Sequence, residues 1–172
     1  MKKNKSIAIA LCFSFALLQG TYAQSITVNS EIKTSISKVL TTYYDLKNAL
    51  VADDGPTASQ QASFLMASLS KLPMEKMTEA QHALLMEFAG KIKEDAQYIN
   101  DTKEVKKQRD HFNALSNALF SLVKGLHANE NPVYQQYCPM KKVYWLSDNA
   151  AIKNPYYGKM MLTCGKVTET LQ

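Results

Sequence analysis

The sequence predicts an all-α protein: an antiparallel four-helix bundle with an irregular C-terminal cap rich in cysteine, methionine and aromatic residues. Three observations predict it. Four stretches of the 172-residue chain repeat apolar side chains at spacings of three and four, the period of a helix with one buried face. The breaks between these stretches are short, so successive helices must fold back on one another. The period stops near Gly125, and beyond it come Pro132, Pro139, Pro155, Gly158 and Gly165 with six tyrosine and tryptophan residues among them.

The chain opens on Met1-Lys2-Lys3-Asn4-Lys5, an apolar run (SIAIALCFSFALLQG) and small residues at Thr21 and Ala23. That is the layout of a secretory signal peptide over residues 1–23, cleaved after Ala23. The apolar run is shorter than the roughly 20 residues that span a bilayer, so no stable membrane insertion is expected after cleavage. Lys2, Lys3 and Lys5 leave with the leader, taking the formal charge from +5 to +2 and removing the case for a nucleic-acid partner. Cys12 leaves too. Cys138 and Cys164 remain, in a compartment (the periplasm, for a Gram-negative cell) that permits disulfides. Residues 24–172 then form one helical domain, long enough to bury a core without a staple.

The first helix is expected over about 31–52, with Ile32, Ile36, Val39, Leu40, Tyr43, Leu46 and Leu50 on its buried stripe. Asp53-Asp54-Gly55-Pro56 breaks it and starts a second helix over about 56–71, facing inward through Ala58, Ala62, Leu65, Met66 and Leu69. Pro73 separates it from a third helix over about 78–100, where Thr78 and Gln81 have the spacing of a capping box. Its stripe reads His82, Leu85, Met86, Ala89, Ile92, Ala96 and Ile99. A fourth helix over about 103–124 carries Val105, Phe112, Leu115, Leu119, Leu122 and Val123, with Gly125 placed to stop it. The cap, residues 126–172, is expected to lie over one end of the bundle, with room for one or two short strands.

Enzyme motifs are absent from the sequence: it has no Gly-rich phosphate loop, no G-x-S-x-G and no H-E-x-x-H. A non-catalytic role is therefore expected. His82 reads as a core histidine, His111 as a boundary histidine bonded to a neighbour, and His127 as a solvated loop residue. The run KEVKKQRD reads as a solvated helix face.

The cap carries the chemistry. In YCPM, an extended backbone would turn Cys138 and Met140 to the same side. In MMLTC, Met160 and Met161 precede Cys164 by four and three residues, the spacings that meet on a helical turn. Thiolate and thioether ligands select Cu(I) and related soft ions, and an imidazole such as His111 could complete the set. A Cys138–Cys164 disulfide fits the same residues. It would close a loop of about 27 residues and stabilise by roughly 3–3.5 kcal/mol in the chain-entropy model. Spacing leaves metal site, disulfide and free thiols open.

The blocks LTTYYDLKNALVADD, QRDHFNALSNAL, YCPMKKVYWLS and IKNPYYGKMMLTCGKV resemble an uncharacterised domain family of exported Gram-negative bacterial proteins. Members of that family also occur fused to periplasmic adaptor subunits of copper and silver efflux systems. The resemblance implies a copper-linked role in metal resistance, with Cys138, Met140, Met161, Cys164 and His111 as ligands of Cu(I) or Ag(I). It implies a periplasmic efflux adaptor or another metal-homeostasis protein as partner.

Overall fold

Side-chain caps decide where the first three helices begin. The computed structural model describes residues 28–172; the expected signal peptide lies outside them. Helix α1 (Ser30–Val51) starts at Asn29, whose side-chain oxygen accepts the Glu31 N–H at 2.8 Å. Helix α2 (Gly55–Leu69) starts at Asp54, which accepts the Thr57 N–H at 3.0 Å and its hydroxyl at 2.7 Å. The expected capping box opens helix α3 (Glu79–Asn100), with reciprocal Thr78–Gln81 bonds of 3.0 and 3.3 Å.

Helix α4 (Val105–Leu126) runs past its expected stop. Gly125 stays helical, and a Cβ there would come within 3.1 Å of Leu84 Cδ1 on α3. Its smallness serves helix packing. The left-handed residue that ends the helix is His127, at φ 50° and ψ 40°.

The expected stripes of α1, α2 and α4 are buried apart from Met66 and Val105, which are half-buried, with Ile32, Ile36, Tyr43, Leu46, Leu65, Phe112 and Leu115 all at 0% exposure. The α3 stripe is corrected at two places. His82 and Met86 face outward, and Gln81 is buried in their stead. The Gln81 side chain closes the capping box on the buried side of the helix start, and His82, about 100° further round the helix, faces solvent. Gln108 is another polar residue in the core. Its Nε2 donates to the carbonyls of Gly55, Ile99 and Thr102 at 2.9, 3.3 and 2.7 Å, tying the ends of three helices together.

The all-α expectation holds only through residue 126. The cap contains a three-stranded antiparallel sheet, β1 (Val133–Cys138), β2 (Val143–Ser147) and β3 (Lys166–Leu171), in the order β2-β1-β3. Valine, tyrosine and tryptophan suit these short strands. A four-residue turn joins β1 to β2, with Pro139 opening it and Lys142 in the left-handed region at φ 58°. The Lys142 N–H returns to the Cys138 carbonyl at 2.8 Å.

A buried seam fastens the sheet to the bundle. The Leu146 N–H on β2 donates to Tyr43 Oη at 3.0 Å, and Tyr43 donates to Ser116 Oγ at 2.7 Å. Ser116 in turn donates to the Phe112 carbonyl at 2.6 Å. Tyr43 and Phe112 stack at 5.3 Å, and Tyr156 from the cap packs on Phe112 at 5.8 Å. Arg109 of α4 completes the attachment, donating to the Leu50 and Pro155 carbonyls and pairing with Asp53 at 2.6 Å. Directed hydrogen bonds thus add to the apolar contact of Val133, Trp145, Leu146 and Tyr156, which join the same core as the helices.

Candidate sulfur site

Cys138 is the last residue of β1 and is fully buried; Cys164 precedes β3 and is partly exposed. Their sulfurs are 3.8 Å apart. Two structural choices produce this. The Pro139–Lys142 turn ends β1 at Cys138, and the chain after Tyr157 makes a 3-10 turn (Gly158–Met160) before coming back along β1 as β3. Gly165 permits the return, because a Cβ there would lie 2.8 Å from Trp145 Cη2 and 3.0 Å from the Tyr137 carbonyl.

Asn154, at 0% exposure, supports the site from below. Its side-chain amide donates to the Cys164 carbonyl at 2.7 Å, and its oxygen accepts the Tyr156 N–H at 2.8 Å. Its own N–H reaches the Leu162 carbonyl at 2.8 Å. Tyr156 then donates to the Tyr144 carbonyl at 2.7 Å. The N-P-Y-Y-G segment is therefore the brace that holds the Cys164 loop against β1 and β2.

The two thiols are electrostatically unequal. Burial disfavours the Cys138 thiolate, but the Lys141 N–H, the Asn154 amide, the Cys164 thiol and the Met140 N–H outweigh it and hold this thiol below its usual range. Cys164 is pushed above its usual range by desolvation, by donating its proton towards Cys138, and by the negative charge there. Of the two, Cys138 therefore gives up its proton more readily, and Cys164 holds its own more tightly.

The methionines stand at the mouth. Met140 lies in the hairpin turn, so the extended backbone expected for C-P-M is corrected to a turn. Its backbone N–H reaches both sulfurs, while its side chain is 65% exposed. Met161 is bound to Cys164 through a 3.1 Å turn hydrogen bond and is 38% exposed; Met160 is 81% exposed. His111 is engaged elsewhere. Its Nδ1 meets Asp95 Oδ1 at 3.0 Å and its ring stacks on Tyr98 at 4.3 Å, both on α3. Among the described residues no group of three or more His, Cys, Asp or Glu side chains is gathered as metal ligands.

Sequence reasoning did not single out Asn154 or the turn amides of Met140 and Lys141. An asparagine before proline in an aromatic segment was the available signal for the first. The amides carry no side-chain signature at all.

Fold and site define a small helical-bundle protein whose strand-built cap encloses a thiol pair. The chain belongs to the family described as protein of unknown function DUF3347, whose model matches residues 39–131. The match spans most of the bundle and ends at Asn131, before either cysteine. No curated protein and no solved structure matches the chain.

Proposed function

We propose that this is an exported, non-catalytic carrier of a soft monovalent cation, Cu(I) first, held by the Cys138 and Cys164 sulfurs. The observation that carries the reading is the 3.8 Å thiol pair, with the Cys138 thiol made more acidic than usual and Cys164 donating towards it. A soft cation can take the place of the proton that Cys164 directs at Cys138. The spacing suits the role: two sulfurs on one tetrahedral ion, with metal–sulfur bonds of about 2.3 Å, sit about 3.8 Å apart. Soft thiolates favour Cu(I) or Ag(I), and the exposed thioethers of Met140 and Met161 can join from the open side. His111 stays outside this set. Sequestration, or delivery to a periplasmic efflux adaptor or another metal-homeostasis protein, is the matching role.

Titration of the reduced full chain with Cu(I) under anaerobic conditions tests the reading. One equivalent binds and releases protons as the sulfurs become ligands. Cys138→Ser with Cys164→Ser loses the binding while the helical circular dichroism stays. Stoichiometric binding that survives the double substitution sinks the proposal.

The same distance favours a second reading, in which the cysteines join as a disulfide that locks a structural or interaction module. The sulfurs would close from 3.8 Å to about 2.05 Å. An intact mass two units below the reduced form, resistant to mild reductant, with no response of melting to metal, would establish it.

A further inference from the structure

A second site lies apart from the sulfurs, where the end of α1 meets the loop after β2. Lys47 is on α1 yet only 3% exposed. Its ammonium has three donors. One makes a long 3.3 Å bond to Ser147 Oγ, and Asp148 Oδ1 forms only a loose ion pair with Nζ at 3.8 Å, longer than a hydrogen bond. The Tyr44 ring lies 5.8 Å from Nζ, a weak cation–π contact. A buried ammonium with donors to spare is costly unless something accepts them.

What Lys47 faces is a small recess of about 150 Å³, lined also by Asn48, Ser147, Asn149 and Lys153 with Asp148 at its edge. Lys153 is exposed and close enough to repel the Lys47 ammonium. Two cations therefore share a recess with one carboxylate, and that carboxylate is 61% exposed at the rim. A recess of this size has room for one oxyanion group.

We propose that this recess binds a small oxyanion, a carboxylate or phosphate group, between Lys47 and Lys153, with Asp148 occupying its edge as an internal competitor. The anion takes the donors that Ser147 and Asp148 leave free and relieves the repulsion between the two lysines. Asp148 yields readily because it is exposed and makes no short bond to Lys47. The proposal is independent of the sulfur site, since none of its residues touches either cysteine.

The test is a titration of the full chain with sodium acetate and, separately, sodium phosphate, at constant ionic strength in chloride. The backbone amide resonances of Ser147 and Asn149 report it. Saturable shifts are expected for at least one anion, and the two arms distinguish carboxylate from phosphate. Asp148→Asn should tighten binding about tenfold by removing one negative charge from the edge. Lys153→Ala should weaken it by a similar factor, and Lys47→Met should abolish it. If Lys47→Met does not fold, Lys153→Ala and Asp148→Asn still decide the question. Absence of saturation by either anion, or affinity indifferent to Asp148→Asn, overturns the site. A lower melting temperature for Asp148→Asn without anion binding would make Asp148 the structural partner of Lys47 and overturn it equally.

Discussion

In α1 and α4, residues such as Ile32, Ile36, Leu115 and Leu119 are buried by apolar contact alone, and each has neighbours that share its task. In the cap, Asn154, Tyr156 and Gln136 are buried polar residues, each with a particular partner. Apolar burial is non-directional and tolerates local adjustment, whereas a buried hydrogen bond is lost with its geometry. The bundle is therefore redundant and the cap is not. This contrast explains why a chemical site can sit in the cap. Directed amides and carbonyls hold two sulfurs at a set distance and tune their acidity, which a greasy core cannot do.

The largest expected effect strikes the seam where the two regions meet. Burial raises the phenols of Tyr43, Tyr44 and Tyr156 above the ordinary tyrosine value of 10.0. The folded state then keeps protons that the unfolded chain gives up. The stabilisation is fully present below pH 10 and is lost as pH rises beyond it. Alkaline titration followed by near- and far-ultraviolet circular dichroism should show the aromatic signal and the helices failing together. Loss of the helices well below pH 10 would mean the seam does not control stability. Phe112→Ala comes next, at a cost of about 3–5 kcal/mol in urea unfolding, because the ring stacks on both Tyr43 and Tyr156.

Asn154→Ala separates the regions more sharply. It should cost about 1–3 kcal/mol by leaving the Cys164 carbonyl and Tyr156 N–H unpaired. It should also raise the Cys138 thiol, read as a shift of thiolate absorbance and alkylation rate to higher pH, while helix content stays. An unshifted thiol would show that the turn amides alone set its acidity. The smallest effect belongs to His111→Ala, with about 1 kcal/mol or less lost along with the Asp95 contact. Cu(I) affinity should not change. A tenfold drop would return His111 to the ligand set and require the cap to reach it.

The same contrast accounts for what could be read in advance. The α1 and α4 stripes were legible because helical periodicity is a local pattern that survives tertiary packing. His82 and Met86 were misassigned because they lie at the edge of the buried stripe through Leu85, Ile92, Ala96 and Ile99, which the capping Gln81 begins. The strands were harder to see. Val133–Cys138 and Val143–Ser147 lack clean alternation, since Gln136 and Ser147 are buried by hydrogen bonds and not by hydrophobicity. Residue type and the expected export singled out Cys138 and Cys164, and the structure brings their sulfurs within 3.8 Å. Lys47, embedded in an ordinary helix, gave no sign of its burial.

By itself, then, the sequence determined the four helices, the capping box at Thr78 and the cap as the region that holds Cys138 and Cys164. Those follow from interactions within a few residues of one another. Only the tertiary structure decided that Cys138 and Cys164 meet across 26 positions, that Asn154 and the turn amides make them unequal, and that His111 faces α3. It also decided that Lys47 ends in a recess beside Ser147, 100 positions away. Such encounters depend on how the sheet docks against α1 and α4, and no local pattern along the chain encodes that docking.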